Sequence, residues 1–226
     1  MNISAWIFLG LLVAALAAYI LCHFKKFCLP EKALSLLISP FTAGLALSVL
    51  YGRIPDSLHI MILLFAASLT ASAAAGVFII GKNAGAKTAA AVIFDIHLLI
   101  WTELYRTTFY IFNVPAVYTA AAVPLLVLGA AALLVAAGKR SGKFRFMATI
   151  SAASAAVLVY TAVATLVLDP KLYSAILAAG SLAEASAVAG GILRKPEPIR
   201  QEKFFCLAAN FTGQILLCAA GVLMVL

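Results

Sequence analysis

The sequence predicts an all-α, polytopic membrane protein with eight transmembrane helices, and three observations support this fold class. The chain of 226 residues is 65% hydrophobic and only 11% charged. Its mean hydropathy is +1.12. Its apolar runs are about 18 residues or longer, which is the length that a helix needs to cross a bilayer. A transmembrane β-barrel would instead show short strands of alternating polarity.

The eight predicted spans follow one another along a single integral membrane domain, residues 1–226. No basic segment precedes the first run, which is long enough to span, so we expect a retained helix and not a cleaved signal peptide. The connections are short and charged or rich in Pro and Gly, so neighbouring helices should pack antiparallel. The predicted spans are residues 3–23, 33–51, 58–80, 88–109, 114–137, 145–168, 172–193 and 204–226.

The basic residues are distributed unevenly between the predicted loops. Thirteen of the 16 Lys and Arg residues fall in the odd-numbered loops, and only Arg53, Arg106 and Lys171 fall in the even-numbered ones. By the positive-inside rule the odd loops are cytoplasmic and both termini lie on the non-cytoplasmic side. We expect a bacterial plasma membrane protein. The net charge of +8 then reflects topology, and no nucleic-acid partner is predicted.

Two similar segments suggest an internal repeat. Span 3 contains SLTASAAAGVFI (residues 68–79) and span 7 contains SLAEASAVAGGIL (residues 181–193). Spans 3 and 7 run in the same direction, so the pattern is that of a parallel duplication with halves 1–110 and 111–226. Close helix packing alone is the alternative explanation for the small residues.

A few ionisable residues are predicted to lie deep in the membrane. Asp95 and His97 belong to span 4 and Glu184 belongs to span 7. At about 1.5 Å per residue, the two carboxylates lie roughly 12 and 15 Å from the cytoplasmic end of their spans. Ionisable residues at this depth are functional candidates and are expected to face the interior of the bundle.

Other polar side chains are predicted at the same depth. Asn210 and Gln214 are four residues apart and so share one face of span 8, and span 3 contributes Thr70 and Ser72. Two alternatives stay open. The polar residues of spans 7 and 8 could form a network that serves only packing, and His97, about 200° from Asp95 around the helix, could be a hydrogen-bonded histidine of the bundle.

The cysteines show no spacing typical of a metal site. Cys22, Cys28, Cys206 and Cys218 contain no CxxC pair. His23 with Cys28 and Cys206 is the one combination that could form a small metal site near a membrane face. Closed zinc sites usually show paired ligands, so we predict reduced thiols and no metal or other cofactor.

Short motifs in spans 4, 7 and 8 resemble those of a known family. Span 4 reads AVIFDIHLLIWTELYR with His97 at its centre, span 7 contains Ala183-Glu184, and span 8 contains the run 210–214, NFTGQ. In these features the chain resembles the YhhN-like lysoplasmalogenase family, which has eight spans, a Ser-Asp in span 7 and a Tyr-x-x-Ala-Gln in span 8. The family's Gly-Asp of span 3 has no counterpart, because span 3 contains no carboxylate here.

The resemblance implies hydrolysis of the vinyl ether bond of lysoplasmalogens to a fatty aldehyde and a glycerophospho-base, with the substrate entering from the bilayer. Glu184 would then be the acid and base, with Asp95 and His97 as the other catalytic candidates. The residues implied in orienting substrate or water are Asn210, Gln214, Ser72 and Thr70. Two other functions remain open, a non-catalytic lipid-binding protein of the same fold and a small proton-coupled transporter. The oligomeric state is not predicted.

Overall fold

The chain is all-helical throughout the part that the computed structural model describes, which is residues 3–50, 63–64, 66–72, 84–109, 123–124, 127–131, 135, 142–193 and 200–225. Within these ranges only the short connections 25–27 and 169–171 are not helical. The six long helices are α1 (Ile3–Phe24), α2 (Cys28–Leu50), α3 (Ala84–Phe109), α4 (Gly142–Leu168), α5 (Leu172–Leu193) and α6 (Arg200–Val225). The predicted all-α class is confirmed.

Six helices of the described chain are long and apolar enough to cross a membrane, as a multi-pass membrane protein requires. They correspond to predicted spans 1, 2, 4, 6, 7 and 8. Most of spans 3 and 5, most of the connecting loops, and the repeat segment 68–79 beyond residue 72 lie outside the described residues. The count of eight helices, the orientation and the internal repeat therefore stay predictions. The apolar stretches are Ile3–Phe24, Glu31–Leu50, Thr88–Tyr105, Met147–Leu168, Leu172–Leu193 and Gln201–Met224.

The helices form two compact units. The first contains Met1–His97 and Cys218–Leu226, and the second contains Leu98–Leu217. In the first unit α1 packs against α2. A Cβ atom built on Gly44 would lie only 2.3 Å from Phe8 Cε1, so the ring of Phe8 rests directly on the backbone of α2. A ring against a bare backbone gives this pair a tight and purely apolar contact.

The turn between α1 and α2 has the hydrogen bonds of a Schellman motif. The Phe27 N–H donates to the Cys22 carbonyl at 2.9 Å and the Lys26 N–H donates to the His23 carbonyl at 3.1 Å. Lys26 takes the left-handed conformation with φ of 61°, where glycine is the usual residue. The buried His23 donates through Nδ1 to Glu31 Oε1 at 2.9 Å. This bond ties the end of α1 to the first turn of α2.

In the second unit α4 packs against α5, and the turn 169–171 connects them. Ser174 Oγ accepts the Lys171 N–H at 3.0 Å, which satisfies a donor at the start of α5. The Asp169 carboxylate accepts hydrogen bonds from the Tyr173 hydroxyl and from the Lys171 ammonium at 3.2 Å. The Tyr173 hydrogen bond, followed by the hydrogen bond and charge of Lys171, lowers the pKa of Asp169 below its ordinary value.

Candidate functional site

Glu184 lies in the middle of the buried face of α5 and has no exposed surface. It is twelve residues from the start of the helix and nine from the end, or about 18 and 14 Å along its axis. The buried residues recur every three or four positions, so they form one face of the helix. They are Ser174, Leu177, Gly180, Ser181, Glu184, Ala187, Val188 and Ile192.

Glycines allow α5 and α6 to approach closely. A Cβ atom on Gly180 would lie 3.0 Å from Leu216 Cβ, and a Cβ atom on Gly190 would lie 2.5 Å from Cys206 Sγ. The contact points on α6 move towards its N-terminus as those on α5 move towards its C-terminus. The two helices are therefore antiparallel, and they are in contact at least from Gly180 to Gly190 of α5.

The side chain of Glu184 rests on Gly213 of α6, midway along this contact. A Cβ atom on Gly213 would lie 2.7 Å from Cγ of Glu184 and 2.9 Å from both Cδ and Oε1. These distances are too short for any real Cβ, so the carboxyl group occupies the space that a side chain at residue 213 would need. The absence of a side chain at Gly213 thus makes room for the carboxyl group in the helix contact.

The two polar residues predicted on span 8 flank Gly213. Asn210 lies one turn before it, and Gln214 follows it directly with no exposed surface. Within the described residues, the buried Oδ1 of Asn210 has no hydrogen-bond partner. The structure therefore brings Glu184 against the segment of α6 that carries Asn210 and Gln214.

The C-terminal part of α3 is held against α6 in the second unit. The Tyr105 hydroxyl donates to the carbonyl oxygen of Leu217 at 2.6 Å. The ring of Tyr105 stacks on Trp101 with centroids 5.9 Å apart, and both residues have no exposed surface. The Leu217 backbone nitrogen is also one of the atoms that approach Gly180, so α3, α5 and α6 meet at this point.

His97 occupies a separate polar contact in the first unit, with Ser68 of the helical segment 66–72. His97 Nδ1 lies 2.8 Å from both the carbonyl oxygen and Oγ of Ser68, and Ser68 Oγ lies 3.3 Å from the carbonyl oxygen of His97. A carbonyl oxygen only accepts, so we assign the hydrogen to Nδ1. In the neutral ring the lone pair is then on Nε2, which makes that atom the one that can accept a proton.

The remaining predicted site residues also lie in the first unit. Asp95, two residues before His97 on α3, is 4% exposed, and Ser72 is 6% exposed. Thr70 is exposed and its hydroxyl donates to the Ala66 carbonyl at 2.7 Å, so it faces away from the buried side that Ser72 occupies. The candidate residues thus divide between the two units, and the pairing of Asp95 with Glu184 stays a prediction.

Two residues of the α5–α6 contact, Gly213 and Ser181, were not predicted as site residues from the sequence. Ser181 is completely buried, and its Oγ has no hydrogen-bond partner among the residues that the structure describes. Its spacing of three from Glu184 could have identified it, because residues three apart share a helix face. Gly213 gave no comparable signal, since a glycine in a membrane helix is common.

No cluster of three or more His, Cys, Asp or Glu side chains that could hold a metal ion occurs in the described part of the chain. The side chain of Cys28, which was considered with His23 and Cys206, lies outside the described residues. Comparison with models of protein families, with curated proteins and with solved structures finds no match to this chain.

Proposed function

We propose that the chain is a lysoplasmalogenase-like membrane hydrolase that cleaves the vinyl ether bond of ether lysolipids. The main support for this proposal is the position of Glu184. Its carboxyl group has no exposed surface, lies in the middle of an apolar helix and packs against Gly213. A carboxyl group at such a position is costly and is therefore a functional candidate. Asn210 and Gln214 beside it supply groups that can hold water or substrate.

The chemistry requires one proton donor and one water molecule. Glu184, buried in its neutral form, transfers its proton to the vinyl carbon remote from the ether oxygen, and the ether becomes an oxocarbenium ion. Water then adds to the carbon bonded to oxygen and returns a proton to the Glu184 carboxylate. The resulting hemiacetal breaks its bond to the glycerol oxygen, giving a fatty aldehyde and a glycerophospho-base. One carboxyl group thus serves as general acid and then as general base.

Other predicted residues have supporting roles in the proposal. Asn210 and Gln214 flank Gly213 and are candidates for orienting the attacking water. Asp95 is the candidate for a second carboxylate that stabilises the cation, on the basis of its predicted depth. His97 is the candidate for accepting a proton, through Nε2, and Ser72 is one of the two buried hydroxyl residues of segment 66–72. Asp95→Asn and His97→Gln variants test these two residues separately.

The proposal includes a topology. Eight spans with both termini on the non-cytoplasmic side are supported by the six apolar helices and by the concentration of 13 of the 16 basic residues in odd loops. The protein would then act in a bacterial plasma membrane, on a lipid that reaches it through the bilayer and with no nucleic-acid partner. Cysteine labelling of loop positions from either side of intact cells tests this orientation.

The hydrolase proposal is tested with purified protein in detergent. The wild type is mixed with choline and ethanolamine lysoplasmalogens, and aldehyde release is followed by coupling to an alcohol dehydrogenase. Glu184→Gln should lower the rate by about 100-fold or more, the usual contribution of a general acid. Glu103→Gln is the matched control, because Glu103 is exposed on α3, and it should retain the wild-type rate.

Wild-type protein that releases no aldehyde from either lysolipid would contradict the hydrolase proposal. The second candidate would then be a lipid-binding protein without turnover. It is favoured by the lack of a carboxylate in segment 66–72, where Ser72 is buried. Mass spectrometry of co-purified lipid tests this candidate, and aldehyde release by a Ser72→Asp variant would show that the missing carboxylate is the cause.

A further inference from the structure

Ser181 differs from several other hydroxyl residues in the described helices. Thr102, Thr165 and Ser186 each donate to the carbonyl oxygen four residues earlier, at 3.0, 2.8 and 2.7 Å. Ser181 has the same option with the carbonyl of Leu177 but makes no such bond, and its Oγ has no hydrogen-bond partner among the described residues. Its side chain is also completely buried.

A buried hydroxyl without a partner is unfavourable, because it has lost its hydrogen bonds to water and gained none in return. Native proteins keep such groups for a reason, which is often binding or catalysis. The position of Ser181 indicates binding. It follows Gly180, whose Cβ position lies 3.0 Å from the backbone nitrogen of Leu217 on α6, and it lies one helical turn before Glu184 on the same buried face.

The side chains of Ser181 and Glu184 can be considered together as two contacts for one ligand. Residues three apart on a helix have Cβ atoms about 5–6 Å apart, so the two side chains lie close enough to contact one ligand. In a glycerolipid with an alkenyl ether chain, the neighbouring glycerol hydroxyl is five bonds from the vinyl carbon that takes the proton. Five bonds with staggered torsions span about 5–6 Å. A lipid of this kind is therefore long enough to reach both side chains.

We infer that Ser181 hydrogen-bonds the free glycerol hydroxyl of a single-chain ether lipid and so selects lipids whose neighbouring hydroxyl is not acylated. This inference rests on the proposed function for its choice of ligand and extends it to a residue that sets specificity. In this contact Ser181 Oγ accepts the hydrogen of the lipid hydroxyl. A methyl or acyl group on that oxygen removes the lipid's donor.

The test uses saturated ether lipids, which have no vinyl ether bond, so that binding is measured without turnover. The ligands are 1-O-alkyl-glycerophosphocholine with a free hydroxyl at the second carbon and the same lipid with that oxygen methylated. Dissociation constants are measured by calorimetric titration of the purified full-length protein in detergent. We expect the wild type to bind the hydroxyl lipid about 3- to 10-fold more tightly, as one neutral hydrogen bond allows.

Two variants and one control make the test specific to the hydroxyl. Ser181→Ala and the near-isosteric Ser181→Cys should both reduce the ratio of the two dissociation constants to about one, because neither keeps a strong hydrogen-bonding group. Ser186→Ala removes an exposed hydroxyl on the same helix and should keep the wild-type ratio. Melting temperatures should not fall in the Ser181 variants, since the hydroxyl has no partner to lose in the described chain.

The outcomes separate this inference from the proposed function. A wild-type ratio near one, or a ratio unchanged in Ser181→Ala, would overturn the role of Ser181 even if the wild type releases aldehyde. A ratio of 3 to 10 that disappears in both Ser181 variants would support the role of Ser181. That result would stand even if no aldehyde were released, and only the hydrolase proposal would then fail.

Discussion

The α1–α2 pair and the α5–α6 pair both use a glycine for close contact, but they place different groups against it. Gly44 of α2 receives the apolar ring of Phe8, whereas Gly213 of α6 receives the carboxyl group of Glu184. The first pair also joins His23 and Glu31 by a hydrogen bond at its turn. At Gly44 the two helices meet through an apolar ring, whereas at Gly213 the helix contact encloses a carboxyl group. A missing side chain thus serves packing in one pair and makes room for a polar group in the other.

The Gly213→Ala variant should have the largest effect on stability, because it adds a methyl group to the α5–α6 contact at Glu184. The new Cβ would lie 2.7 Å from Glu184 Cγ, and overpacking of this kind costs about 1–3 kcal/mol. We expect a lower melting temperature in detergent and, if the protein is a hydrolase, loss of most aldehyde release. Gly191→Ala on α5 is the matched control, since nothing lies within 4 Å of its Cβ position. Equal melting temperatures for the two variants would contradict the contact.

The Gly44→Ala variant tests the α1–α2 pair in the same way. Its Cβ would lie 2.3 Å from Phe8 Cε1, but Phe8 is only half-buried and its ring can move outwards. We therefore expect a smaller loss of stability than in Gly213→Ala, about 1 kcal/mol, and no change in aldehyde release.

The double variant Phe8→Leu with Gly44→Ala should recover part of the loss, because a smaller side chain then faces the new methyl group. Melting temperatures of the two single variants and the double variant form the thermodynamic cycle that measures this coupling. Losses that simply add would show that Phe8 and Gly44 do not share a contact.

The Asp169→Asn variant should have the smallest effect and tests the turn before α5. The folded-state pKa of Asp169 is lowered, so its stabilising contribution is present above the unfolded pKa of about 3.9 and is lost as the pH falls through the folded value. The variant should melt slightly below the wild type at pH 6. The difference should shrink as the pH falls below about 4. A difference that is constant over this range would rule out the carboxylate as its cause.

Much of the helical frame could be predicted from the sequence, because apolar runs of membrane length give few alternatives to helices. The exact ends differ where polar residues continue a helix. α2 begins at Cys28, five residues before the predicted start, because the Schellman turn at Lys26 is short and Glu31 suits the first turn of a helix. The burial of Asp95, His97 and Glu184 was also predictable, since charged groups avoid lipid.

The contacts of the candidate site could not be predicted in the same way. Sequence spacing shows which residues share a face of one helix, but the facing residue on the next helix depends on how the two surfaces fit. The contact of Glu184 with Gly213 and the missing bond of Ser181 are consequences of that fit. The exposure of Thr70, beside the buried Ser72, likewise depends on the rotation of segment 66–72.

The contact of Glu184 with Gly213 bears on how α5 and α6 are inserted into the membrane. While α5 enters the membrane alone, its carboxyl group faces lipid, which costs about 2.5–3.5 kcal/mol at the centre of a helix on the insertion scale. Once α6 is in place, Gly213 covers that group. The two helices are joined by only six residues between Leu193 and Arg200, so their entry as a hairpin avoids the exposed intermediate. Insertion of α5 during synthesis should therefore depend on α6 following it.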